Sequence, residues 1–240
     1  MKDIFYPLNR SRRKGLHLAL LVFGAAAMML VDVFLQLSYG QRSLVKGILF
    51  LILPLIYSRM TPGFHLLGVF GKGAGKKGFL SSLLLGVLVY GGLMGLYLLI
   101  QGFLDLKQIE SAIVTNMSVD RENFLPVALY ISFGNSLLEE FFFRGFGCLK
   151  LGDKSSRLFA YSVSAALFAL YHLPMVSGWT SPLITGLGIF GLFLSGIFFN
   201  LLNAGKGNLY NSYMVHMFAN FAINTIGLQM FGLIRLPFLG

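Results

Sequence analysis

"SLLEEFFFRG", residues 136–145, puts two adjacent carboxylates and an arginine inside an apolar segment that runs from Phe124 to Cys148. A charge at the centre of a bilayer helix costs ~2.5–3.5 kcal/mol on insertion scales, so three in one segment need partners or a function. Apolar residues make up 56% of the 240-residue chain and charged residues 12%, with a mean hydropathy of +0.75. Soluble domains carry about 25% charged residues. The stretch is therefore read as polar chemistry inside a membrane protein.

Outward from it, residues 16–37, 44–57, 79–104, 124–148, 158–174, 181–203 and 208–231 form apolar segments, the second and fifth of them short. An α-helix needs ~20 such residues to cross the hydrocarbon core. The alternation expected of a membrane barrel is absent, which leaves helices as the spanning element. The expected fold is all-α: a polytopic transmembrane helical bundle of about seven membrane helices, one membrane domain over 1–240, with an active site buried between helices. "MTPGFHLLGVF" at 60–70 reads as an interfacial or re-entrant helix and would make eight. The first apolar segment is longer than a signal-peptide core and lacks an A-x-A site, so it reads as a retained helix.

Basic residues orient the bundle. Lys2, Arg10, Arg12, Arg13 and Lys14, then Arg59, Lys72, Lys76 and Lys77, then Lys150, Lys154 and Arg157, then Lys206 fall on one side, against Arg42, Lys46, Lys107, Arg121 and Arg235 on the other. The positive-inside rule makes the richer side, and the N-terminus, cytoplasmic. The segment Asp105–Glu122 then becomes an outer loop. Short loops and the basic start suggest a prokaryotic cytoplasmic membrane. The net charge of +10 suits anionic lipid headgroups and gives no reason to invoke nucleic acid. "GVFGKGAGKKG" at 68–78 lacks the spacing of a phosphate loop and reads as a basic surface loop. Cys148, the single cysteine, sits at an expected helix end and excludes an intrachain disulfide or a multi-cysteine metal site.

Within the expected spans the polar residues sort by helical face. Glu140 and Arg144 are spaced i, i+4 and pair. Glu139 lies about 100° around the helix and needs another partner, for which His172 and His216 are the candidates. Ser212, His216, Asn220 and Asn224 form a polar stripe expected to face inward. At ~1.5 Å per residue from the basic ends, Glu139 lies ~16 Å deep, His216 ~15 Å and His172 ~22 Å, within reach of one another given helix tilt. Phe168 reads as packing, and His17 and His65 as residues near the membrane surface.

A carboxylate and an imidazole facing one water make a general base. A second imidazole and an amide can donate hydrogen bonds to a developing oxyanion. The set suits amide hydrolysis by an activated water. Ser212 is the nearest candidate nucleophile, though a turn from His216. A catalytic zinc held by Glu139, His172 and His216 is the competing arrangement, without the H-E-x-x-H spacing.

"EEFFFR" at 139–144, "FALYH" at 168–172 and "HMFAN" at 216–220 fit E-E-x-x-x-R, F-x-x-x-H and H-x-x-x-N on three successive segments. In that order they resemble the CPBP family, the CaaX proteases and bacteriocin-processing enzymes also called Abi, over roughly residues 125–225. The resemblance implies an intramembrane endopeptidase. Glu139 and His172 would activate water, His216 and Asn220 would stabilise the oxyanion, and Glu140 and Arg144 would support them. It leaves open a glutamate-type enzyme, favoured here with no cofactor, or a metalloprotease with zinc. The substrate expected is a peptide or protein entering from the membrane or the cytoplasmic side. The alternatives are a non-proteolytic scaffold or bacteriocin immunity protein, and a transporter, although no repeated pair of broken segments supports the last.

Overall fold

A computed structural model of the chain describes residues 10–71, 75–153, 155–177 and 181–236. Lys2, Lys72 and Lys154 of the orientation argument, and residues 72–74 of the glycine-rich stretch, lie outside the described residues. All the described regular structure is helical. The helices are α1 Arg10–Phe34, α2 Tyr39–Met60, α3 Gly75–Ile100 and α4 Leu106–Met117, then α5, continuous over 124–152. They are followed by α6 Arg157–Leu170, the single turn α7 Leu173–Val176, α8 Pro182–Asn203 and α9 Tyr210–Met230. Each of the seven expected segments is helical. Five stretches are long and apolar enough to cross a membrane: Ser11–Phe34, Tyr39–Met60, Gly75–Phe103, Arg157–Val176 and Pro182–Asn203. The other two expected segments, in α5 and α9, are not among these five and carry most of the polar residues singled out above.

Several boundaries differ from the sequence reading for local reasons. The second segment, expected as 44–57, begins at Tyr39 because Ser38 and Gln41 form a reciprocal capping box, which satisfies two amides that would otherwise be orphaned. The expected outer loop contains α4, started by Asp105 accepting from the Gln108 amide at 2.9 Å. The stretch at 60–70, read as an interfacial or re-entrant helix, holds one short helical element. Leu66–Phe70 is a 3-10 turn whose Leu66 and Val69 are buried, and Val69 O accepts from Leu209 N at 3.2 Å. Two residues read near helix ends are buried within the protein. His17 is fully buried, with Nε2 2.8 Å from Phe146 O and its ring between Tyr57 and Phe146. Cys148 is buried as well.

α5 forms the centre of the bundle, in contact with α1, α2, α6, α8 and α9. Its side chains explain this position. Phe142, Phe143 and Phe146 are fully buried, and Phe142 stacks on Phe50 of α2 at 4.1 Å between centroids. A Cβ on Gly24 of α1 would stand 2.6 Å from Phe142 Cζ, so α1 approaches α5 closely only because that position has no side chain. With α5 shielded on these sides, its charges face protein rather than lipid, which answers the insertion cost. Two parts of α5, Ile131–Asn135 and Glu140–Lys150, are wound with i→i+5 bonds. That winding is rare, mostly confined to single turns, and frequent at functional sites.

α6 packs on α8 at Gly196, where a Cβ would meet Ala165 Cα at 2.8 Å. Backbone lies on the other side of that contact, so no side-chain rotation relieves it. Gly196→Leu is expected to separate α6 from α8 and cost about 1–3 kcal/mol. Thermal unfolding in detergent micelles checks this, with Gly91→Leu, where a Cβ meets nothing within 4 Å, as the control that leaves the midpoint unchanged.

Candidate active site

α5 and α9 run antiparallel and are joined by polar side chains one helical turn apart on each. From one end of the interface, Asn224 Nδ2 donates to Ala128 O at 2.9 Å and to Ser132 Oγ at 3.0 Å. A turn further, Asn220 Nδ2 donates to Ser136 Oγ at 2.8 Å and Ile131 O at 3.2 Å. Next, His216 Nδ1 lies 2.9 Å from Glu140 Oε1, and Ser212 Oγ donates to Glu140 Oε2. The inward stripe read from the sequence is thus observed. Ser132 and Ser136, which accept two of these contacts, carried no signal of their own beyond their i, i+4 spacing.

Ser212 does not face His216. Its hydroxyl is fully buried, accepts from Asn203 Nδ2 at 2.6 Å and points at Glu140. It supports a carboxylate and is not arranged as a nucleophile.

Glu140 is fully buried and organises the next layer. A carboxylate only accepts, so His216 Nδ1 carries the hydrogen and, in the neutral ring, Nε2 holds the lone pair. Nε2 lies 3.7 Å from Glu139 Oε2. Arg144 Nε stands 3.5 Å from Glu140 Oε1, giving the expected pair. No guanidinium nitrogen has a hydrogen-bond partner among the described residues. The cation lies instead 3.9 Å from the Phe168 ring centroid and 5.0 Å from that of Phe199. Desolvated cation–π contacts contribute about 2 kcal/mol. Phe168 is therefore more than packing. Phe199 also stacks on His216 at 5.0 Å, so one phenyl ring touches both the arginine and the imidazole.

Glu139 is buried at the end of the α-wound stretch Ser136–Glu139. The sequence reading gave it two histidines as partners; the structure adds a cation that the reading had counted on the outer surface. Lys46, about two turns into α2, reaches inward to place Nζ 3.4 Å from Glu139 Oε1 and 2.8 Å from Asn135 Oδ1. The Tyr171 hydroxyl and Asn135 Nδ2 also donate to Oε1. Lys46 was missed because positive-inside counting treats every lysine near a helix start as solvated. Tyr171 was missed because only its neighbour His172 completes a motif.

His172 lies just beyond α6, and its ring packs 4.8 Å from Phe168 and 4.2 Å from Tyr171. Nδ1 is 2.6 Å from Phe168 O. A carbonyl cannot donate, so Nδ1 bears the hydrogen and Nε2 is left as the basic nitrogen. Glu139 and His216 thus meet, and His172 joins the same cluster through Phe168 and Tyr171. The three motifs meet around Phe168, whose ring also lies 5.8 Å from that of His216.

A zinc ion would need Glu139, His172 and His216 around one point. Among the described residues no three His, Cys, Asp or Glu side chains are placed to hold a metal. Glu139 Oε1 already accepts from three donors, and the Lys46 ammonium opposes a dication beside the same carboxylate. This arrangement does not fit zinc.

Among the described residues, an all-helical bundle with five helices long and apolar enough to cross a membrane encloses a buried carboxylate–imidazole cluster, which places it in the class of polytopic helical membrane proteins. Residues 121–222 match the family model described as type II CAAX prenyl endopeptidase Rce1-like. No curated protein and no solved structure matches the chain. The matched segment runs from the start of α5 into α9 and so contains all three motifs, while Lys46 lies outside it.

Arg144→Met leaves Glu140 buried without its cation, which is expected to cost about 3–5 kcal/mol. Glu140→Gln with Arg144→Met is expected to restore part of that loss. Unfolding midpoints of the two proteins in micelles give the comparison.

Proposed function

We propose that the protein is a CaaX-protease-like intramembrane endopeptidase that cleaves a peptide bond with a water activated by Glu139 and His172. The observation that carries this reading is the division of Glu139: three donors hold Oε1, while Oε2 turns to the His216 ring. In the proposed reaction, water between Oε2 and His172 Nε2 loses its proton to the carboxylate as its oxygen attacks the carbonyl carbon. The oxyanion is met by His216. Because Glu140 accepts the Nδ1 hydrogen, a hydrogen on Nε2 makes the ring cationic, and the Glu140 carboxylate lies where it stabilises that cation. The proton taken from water then passes to the leaving amine.

Asn220 joins as a second oxyanion donor once substrate displaces its contact with Ser136, since its amide nitrogen now donates to Ser136 Oγ and Ile131 O. The proposed substrate is a peptide or protein segment entering from the membrane or the cytoplasmic side. The proposal puts the N-terminus in the cytoplasm of a prokaryotic cell, a reading supported by the count of basic residues. A scaffold or immunity protein is the second reading, favoured by the burial of Glu139 and His216 and by the engaged amide of Asn220.

The test is cleavage of a quenched membrane-peptide library by detergent-purified wild type and Glu139→Gln, each with and without a chelator and with metal content measured. Removing a general base is expected to lower the rate by at least ~10²-fold while the protein stays folded and the wild-type rate is indifferent to chelation. Loss on chelation with one zinc per chain would return Glu139, His172 and His216 to ligand roles. Cleavage by neither protein would favour the scaffold.

A further inference from the structure

Resting on the protease reading, we propose that Lys46 is a positioning residue for Glu139, supplied to the site by a helix outside the family-matched segment. Charge balance gives the first argument. The buried cluster holds two carboxylates, Glu139 and Glu140, and Arg144 is engaged with Glu140. An uncompensated charge in a low-dielectric interior carries a penalty of several kcal/mol. Lys46 offsets Glu139 as Arg144 offsets Glu140, so His172 need not be charged to balance that carboxylate, and a histidine acting as base has to be uncharged.

Geometry gives the second. Lys46 Nζ touches three groups that all bear on one carboxylate oxygen: Glu139 Oε1 at 3.4 Å, Asn135 Oδ1 at 2.8 Å and the Tyr171 hydroxyl oxygen at 3.4 Å. Asn135 and Tyr171 each donate to that same Oε1. Lys46 orients both donors because it takes the acceptor side of each: the Asn135 carbonyl oxygen turns to the ammonium and its amide nitrogen to Glu139. The ammonium also lies 5.3 Å from the Tyr171 ring centroid. With Oε1 fixed from three sides, the carboxyl plane is set and Oε2 is directed at His216. The Lys46 side chain keeps 15% exposure against 2% for Glu139, so the ammonium is the more accessible end of the pair. Lys46 does not touch the reacting atoms; it acts through the orientation of Glu139.

Two readouts test this together. The first is cleavage kinetics of wild type, Lys46→Met and Lys46→Arg. Positioning predicts that Lys46→Met lowers kcat by about 10²-fold, the low end of a general-base contribution, with KM nearly unchanged. It also predicts that Lys46→Arg recovers part of kcat by restoring the charge with a larger head group. The second is the melting temperature of Lys46→Met, Glu139→Gln and the double variant. The two losses should combine to less than their sum, because each single change strands the other charge.

Unchanged kcat in Lys46→Met, a rise in KM with kcat unchanged, or equal rates for the Met and Arg variants would overturn the proposal. So would additive melting losses. If the wild type cleaves nothing, the protease reading falls on the first readout. Non-additive melting would then leave Lys46 as a structural counter-ion, which also overturns the positioning role.

Discussion

Glu140 is the constraint from which the rest of the site follows. It is fully buried, and its two oxygens meet a serine and a histidine of α9 and the arginine one turn along its own helix. A carboxylate in that position is tolerated only if every partner is in place, because leaving it unpaired costs several kcal/mol. The need fixes the register of α9 against α5, and the register in turn fixes where Asn220 and Asn224 land, one and two turns further along. It also decides which imidazole nitrogen is available to Glu139. The neighbouring glutamates thus divide their work, with Glu140 setting the frame and Glu139 facing into it.

The aromatic residues around this frame do more than fill space. Arg144 has no hydrogen bond to any described residue, yet two phenyl faces flank it. A guanidinium is weakly hydrated and stacks well, which suits it to this setting where an ammonium would be poorly served. Phe199 links that cation to His216, and Phe168 links it to His172. The buried charges and the histidines are therefore packed as one unit, and a change in one ring would be felt at several polar groups.

Much of this was legible in the sequence because membrane residence narrows the choices. A polar stripe on a spanning helix has to face inward, so Ser212, His216, Asn220 and Asn224 could be placed without coordinates, and the i, i+4 spacing of Glu140 and Arg144 gave their pair. Three kinds of information were not legible. Contacts between helices distant in sequence hid Lys46, whose partner Glu139 lies on another element. The wide winding within α5 cannot be read from a pattern tuned to 3.6 residues per turn. Hydroxyl direction separated Ser212 as a support for Glu140 from Ser212 as a nucleophile. The outer segment Asp105–Glu122 was read as a loop because α4 is short and no residue in it is buried.

Among the described residues of the N-terminal half, Lys46 lends its ammonium to a cluster otherwise built from residues 135–216. The two halves are therefore not interchangeable parts. A chimaera that kept the family-matched segment and took its first helices from another protein would inherit Glu139 without its counter-charge, however well the new helices packed. Recombination between such proteins would succeed only where the donor half brings a cation to the same depth on its second helix, so this single contact limits which halves can be joined.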